Sequence, residues 1–237
     1  MAQPARPARE LLDAGGPFEA HLPGFAPRAG QQRLAEAIEA TLTDGGTLVA
    51  EAGTGIGKTL AYLVPVLEQG GRTIISTGTK TLQDQLFFRD LPLVQKALGR
   101  NPRSALLKGR GNYLCLYRMQ RTREEGLLAS RDAVRELEAV HAWSAQTTDG
   151  DLSLTPVLRA DSSLWPQVTS TADNCLGSAC PRFDECHVAR ARKRAQEADV
   201  VVVNHHLLFA DMAVRQRGFG EVLPGAEAFI VDEAHQA

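Results

Sequence analysis

Residues that could do chemistry stand out at once in Ala52-Gly-Thr-Gly-Ile-Gly-Lys-Thr59, set between an apolar run, Gly46-Thr-Leu-Val-Ala-Glu51, and a helical pattern that follows. A glycine-rich turn between strand and helix that ends in Gly-Lys-Thr binds phosphate. Its backbone N–H groups turn inward onto the anion, and the helix N-terminus behind it adds a favourable dipole. Gly53, Thr54, Gly55, Ile56 and Gly57 would form the cradle, Lys58 would reach the β- and γ-phosphates, and the Thr59 hydroxyl would take a place on Mg²⁺. Ala52 stands where the strict pattern has glycine, but a merely flexible turn has no need of Lys-Thr at its helix start. Far downstream, Glu227-Ala-Phe-Ile-Val-Asp-Glu-Ala-His235 reads as an apolar strand ending in two carboxylates. At the end of a parallel strand Asp232 can hold Mg²⁺ directly or through water, and Glu233 can polarise an attacking water. Two acids at a strand end are ordinary by themselves; together with the glycine loop they read as the second half of one triphosphate site.

A separate chemistry is offered by four cysteines, Cys115, Cys175, Cys180 and Cys186. Three are close in sequence, and Gly177 and Pro181 bend the chain between them. Such a set can be a Cys₄ metal centre. Zinc sites favour two tight cysteine pairs, and Cys115 has no near partner; a [4Fe–4S] cluster accepts one distant thiolate. Spacing alone leaves three readings open: an iron–sulfur cluster, zinc, or unligated cysteines acting as small buried apolar residues.

These groups need a scaffold, and the chain is long enough to build one. Its 237 residues can bury a substantial core as one large domain or two small ones. Apolar residues make up 43% and charged residues 23%, the balance of a globular chain. The net charge of −2 carries no global polyanion signature, so any nucleic-acid contact must come from local basic patches. No apolar run approaches the roughly 20 residues that span a bilayer, and the basic N-terminus lacks the apolar stretch of a secretory signal. A cytoplasmic location is expected, where thiols stay reduced. Periodicity predicts helices over 27–43, 58–69, 79–98, 131–143 and 187–198, and strands over 47–50, 72–76, 104–107, 199–203 and before Asp232. Alternating strands and helices predict an α/β fold with a parallel sheet. The proline- and glycine-rich residues 1–24 read as a flexible lead-in. Residues 25–107 and 191–237 read as one nucleotide-binding domain, interrupted by an inserted subdomain over 108–190. A metal cluster there would pin loops that have no core of their own, so its loss should unfold them.

Taken in order, Arg28-Ala-Gly-Gln31, the glycine loop, Ser76-Thr-Gly-Thr-Lys-Thr-Leu-Gln-Asp-Gln-Leu86, Lys108-Gly-Arg-Gly-Asn-Tyr-Leu-Cys115, the cysteine triplet, Asp199-Val-Val-Val-Val-Asn-His-His-Leu-Leu208 and Asp232-Glu-Ala-His235 resemble a family. It is the iron–sulfur DNA helicases of superfamily 2, the bacterial DinG/YoaA group related to the XPD repair helicases. The resemblance covers nearly the whole chain from about residue 17, and the four-cysteine insert is its most specific part. It implies a RecA-like P-loop fold, ATP with Mg²⁺, a [4Fe–4S] cluster on the four cysteines, and 5′ to 3′ movement on single-stranded or forked DNA in repair. By the same resemblance Arg28 and Gln31 recognise adenine, Lys58 and Thr59 hold phosphate and Mg²⁺, Asp232 carries the metal, Glu233 activates water and His235 couples nucleotide state to DNA. Thr79, Lys80 and Gln83 fall in a motif that touches single-strand phosphates. Arg190, Arg192, Lys193 and Arg194, with Lys108 and Arg110, could neutralise the DNA backbone. Tyr113 or Tyr117 could stack on bases; the plainer reading is a solvated basic helix face and core tyrosines.

In one respect the chain departs from the family pattern: it stops at Ala237, just past the Asp-Glu-Ala-His tetrad. It is expected to be the N-terminal part of such a helicase, binding nucleotide and a cluster without unwinding DNA alone. Two other functions fit the residues: a P-loop NTPase with a zinc-stabilised insert, and a truncated module that only holds single-stranded DNA.

Overall fold

The computed structural model describes residues 5–128, 130–159, 161–216 and 222–236. Its helices and strands run α1 (Ala8–Leu11), α2 (Pro17–His21), α3 (Ala29–Asp44), α4 (Lys58–Gln69), β1 (Thr73–Thr77), α5 (Lys80–Gln85), α6 (Leu91–Leu98), β2 (Ser104–Leu106), α7 (Leu116–Glu125), α8 (Arg131–Ser144), α9 (Trp165–Val168), α10 (His187–Glu197), β3 (Val200–Asn204), α11 (His205–Gln216) and β4 (Ala228–Val231). Contacts divide the chain into two compact units, Met1–Leu106 with Glu197–Ala237, and Leu107–Gln196. The second unit therefore takes in nearly all of α10.

The first unit is α/β. Its sheet has the order β2-β3-β1-β4 among the described residues, and every pairing is parallel. Val200, Val201, Val202 and Val203 are fully or almost fully buried in β3, as an inner strand covered on both faces requires. α4 buries Ala61, Tyr62, Leu63, Val64, Val66 and Leu67. The predicted helix over 79–98 is real but not uniform. Thr79 caps α5 by accepting from the Leu82 N–H, a five-residue π turn (Leu86–Asp90) follows, and α6 ends on Gly99 in the left-handed region, where glycine carries no Cβ penalty.

Two expectations for this unit are corrected. The N-terminal lead-in is anchored to the core by part of its side chains, residues 1–4 lying outside the described part. Leu11, Leu12 and Phe18 join the core formed with α3, α4 and α6. Arg6 and Arg100 both pair with the buried Glu68, at 2.5 and 2.9 Å. Prolines and glycines here shape short helical turns that put three large apolar side chains under cover. The predicted strand over 47–50 is not formed. Val49 is 93% exposed and Leu48 40%, and the segment joins no ladder among the described residues. A strand exists only by pairing, and β-forming residue types cannot supply a neighbour.

The second unit has a core of its own, which overturns the expectation of loops held only by a metal. Leu114, Met119, Leu137, Val140, Leu152, Leu158, Leu164 and Val168 form one buried cluster, with Trp143 and Trp165 packed against it. Next to it Lys108, with its side chain fully buried, pairs with Asp151 at 2.7 Å and donates to Ser153 Oγ at 2.7 Å. Tyr113 is 3% exposed, and its hydroxyl accepts from the Lys108 backbone N–H at 3.0 Å. Burial pushes the Tyr113 phenol up to about 12. Lys108 and Tyr113 are thus interior groups, unavailable to DNA phosphates or bases.

Two substitutions test this packing. Phe18→Ala should lower the unfolding free energy by about 3–5 kcal/mol, read from urea melts of the whole chain; a lead-in that stayed flexible would leave the midpoint unchanged. Asp151→Asn leaves Lys108 buried without its counter-charge and should cost about 3–5 kcal/mol. Protease digestion should then cut first between residues 107 and 196.

Candidate functional site

The parallel sheet delivers the acidic residues to the glycine loop. β4 pairs with β1 as far as Val231 beside Ser76, and the Asp232 N–H continues the ladder to Ser76 O at 2.9 Å. Asp232 and Glu233 therefore leave the carboxyl end of the sheet side by side. Glu233 has a φ of 54°, the left-handed region that non-glycine residues seldom adopt. Its Oε1 lies 2.8 Å from Lys58 Nζ, which also reaches Ala52 O at 3.4 Å. His235 Nδ1 stands 3.5 Å from Glu233 Oε2 and is largely exposed.

The charges respond to this arrangement. The hydrogen bond to Glu233 holds the Lys58 ammonium above its ordinary pKa, and the same bond keeps the Glu233 carboxyl below its own. Asp232 moves the other way. Burial raises it first, and the neighbouring Glu233 charge raises it further. One Asp232 oxygen, Oδ2, meets the hydroxyl of Tyr62 at 3.2 Å.

The loop itself is built on left-handed glycines, Gly55 at φ 81° and Gly57 at φ 88°. The φ of Gly57 favours glycine, and a Cβ there would stand 2.3 Å from Gln31 Nε2 and displace that side chain. Gln31 donates to Gly57 O at 2.9 Å and Arg28 to Gly55 O at 2.5 Å. Both side chains expected at a base thus rest on the carbonyls of the loop. Lys58 and Thr59 open α4, which places them at a helix N-terminus. Of the residues expected at DNA, Thr79 and Lys80 are exposed, while Gln83 is fully buried and donates to Val202 O at 3.2 Å. Gln83 is a brace between α5 and β3 and does not face a strand of DNA. Tyr62 was not picked out by sequence reasoning; its signal was a lone phenol three residues past Thr59 on an otherwise aliphatic helix.

In the second unit all four cysteines line one cavity of about 310 Å³. Leu114, Leu116, Phe183 and Val188 give it an apolar wall, and Arg110, Arg182 and Arg192 stand at its edge. Cys115 is fixed by its N–H bond to Val168 O at 2.7 Å. Short 3₁₀ turns, Gly177–Ala179 and Phe183–Glu185, lead into Cys180 and Cys186, and the Gly177 N–H points at Cys175 Sγ, 3.5 Å away. Burial raises the Cys115 thiol, as do Cys186 and Cys180 close by. Among the described residues no group of three or more His, Cys, Asp or Glu side chains is arranged to hold a metal ion. α10 buries His187, Ala191 and Ala195 and turns Arg190, Lys193 and Arg194 outward.

Comparison with known proteins agrees with the first unit. Residues 31–104 match the model of the DEAD/DEAH box helicase family. The chain is 51% identical over 226 residues to the ATP-dependent DNA helicase YoaA of Haemophilus influenzae, covering 95% of this chain and 35% of that protein. It is 52% identical over 215 residues to YoaA of Escherichia coli, covering 91% and 34%. To the ATP-dependent helicase DinG of Mycobacterium tuberculosis it is 40% identical over 235 residues, covering 90% and 35%. The chain spans about a third of the length of these relatives. With the glycine loop, the Asp-Glu-Ala-His tetrad and these identities in one chain, it belongs to the DEAD/DEAH box helicases of the DinG/YoaA type.

Proposed function

We propose that this chain is the nucleotide-binding and iron–sulfur part of an ATP-driven DNA helicase acting on single-stranded or forked DNA with 5′ to 3′ polarity. The observation that carries the reading is the meeting of Lys58, Asp232 and Glu233 at the carboxyl end of one parallel sheet. The relatives named as ATP-dependent DNA helicases support the same substrate pair.

Each residue then has a task. The backbone of residues 53–57 and the Lys58 ammonium bind the β- and γ-phosphates. Thr59 and Asp232 would hold Mg²⁺, which neutralises charge developing on the phosphoryl oxygens. Glu233 orients the attacking water and accepts its proton. That work requires Lys58 to exchange Glu233 for phosphate, so binding releases the carboxylate from its 2.8 Å pair. Gln31 and Arg28 turn from the loop carbonyls to the adenine edge. His235 carries the change from Glu233 toward DNA. Thr79 and Lys80 hold strand phosphates, joined by the outward arginines of α10.

The thiolate set fits a [4Fe–4S] cluster better than zinc. All four cysteines line one cavity, and Cys115 lacks the near partner in sequence that zinc sites favour. Cys115, Cys175, Cys180 and Cys186 would each supply one thiolate, and bound iron would fix the loop of 175–186 to the arm of Cys115. Such a protein works in the cytoplasm, where these thiols remain reduced. No described helix is long and apolar enough to cross a membrane.

Anaerobic purification should give a brown protein with about four irons and matching sulfide per chain; one zinc and no colour would replace this reading with the zinc-stabilised NTPase. Calorimetry should find Mg-ATP binding that Lys58→Ala abolishes. If Lys58→Ala left nucleotide binding intact, or if the wild-type chain held single-stranded DNA but no nucleotide, the enzymatic reading would fall.

A further inference from the structure

Tyr62 lies in the second turn of α4, 4% exposed among the aliphatic side chains of the core. A phenol so placed needs one partner for its hydroxyl. Its partner bears on the phosphate site: Asp232 Oδ2, at 3.2 Å. Asp232 is one of the two side chains assigned above to Mg²⁺. One oxygen atom thus links the helix that carries Thr59 to the strand end that carries Asp232.

We propose that Tyr62 is a positioning residue for the metal ligand Asp232: its hydroxyl donates to Asp232 Oδ2 and sets the rotamer of that carboxylate. The inference rests on the nucleotide reading of the site and goes beyond it by naming what holds Asp232 in place. Physically, an Asp carboxylate at a strand end is free to turn about χ1 and χ2. A bond to one oxygen removes that freedom before any ion arrives and lowers the ordering cost of coordination.

Tyr62→Phe keeps the ring in the core and deletes the hydroxyl. In the 237-residue chain, a fluorescent ADP analogue is titrated at a series of Mg²⁺ concentrations and again in excess EDTA. The expected result is a rise of about fivefold in the Mg²⁺ concentration at half-saturation, with metal-free nucleotide affinity and thermal melting temperature unchanged. Asp232→Asn should weaken the Mg²⁺ dependence more, and adding Tyr62→Phe to it should change nothing further, since coupled residues do not add. An unchanged Mg²⁺ midpoint in Tyr62→Phe, with the wild type binding normally, overturns the inference and leaves the nucleotide site standing. Equal loss of metal-free binding or of melting temperature also overturns it, by making Tyr62 a packing residue. A wild-type chain that binds no nucleotide with Mg²⁺ takes down both.

Discussion

Everything at the phosphate site depends on the parallel pairing of β4 with β1. That ladder runs one residue past the strand, through the Asp232 N–H to Ser76 O, and so fixes where the two carboxylates emerge. The loop that meets them is held independently, by left-handed glycines and by Gln31 and Arg28 on its carbonyls. Two rigid parts then approach through flexible ones: a lysine, a tyrosine and two acids. A shift in β4 register by one residue would send Asp232 to the opposite face of the sheet, because side chains alternate along a strand. The constraint is geometric before it is electrostatic.

The Lys58–Glu233 pair has a second meaning. A loop that concentrates backbone N–H dipoles and a lysine beside a helix N-terminus is strongly positive, and a strand end with two carboxylates is strongly negative. In the structure each neutralises the other, and Glu233 adopts a left-handed backbone where the pair forms. Backbone strain of about 1–3 kcal/mol is held at such positions when the surroundings fix them. On the proposed reading, a triphosphate with its cation would substitute for both charges at once.

What was legible in the sequence was structure that depends on residue type at short range. The glycine loop, the tetrad and the buried run of β3 announce themselves, and most of the helix and strand order followed from periodicity. What was illegible depends on distant partners. Residues 47–50 have the composition of a strand and no neighbour to pair with. The lead-in looked too broken by proline and glycine to pack, yet Phe18 is fully buried. Lys108 and Tyr113 resembled a basic, aromatic DNA contact until Asp151, far along the chain, drew the lysine inside. Gln83 went the same way through Val202. In each case a charge or amide of ambiguous purpose was assigned by a group that sequence distance conceals. Tyr62 is the counterpart at the site, an aromatic that passed for core.

One consequence follows from β4 as the last strand in the sheet order among the described residues. Its outer row of amides and carbonyls has no strand beside it, and Phe229 and Val231 are 55% and 38% exposed. Nature usually blunts such borders with lysine, proline or a bulge; Ala-Phe-Ile-Val carries none of these. The border that presents Asp232 and Glu233 is therefore also, among the described residues, an unguarded sheet edge, open along its backbone to pairing with an extended polypeptide.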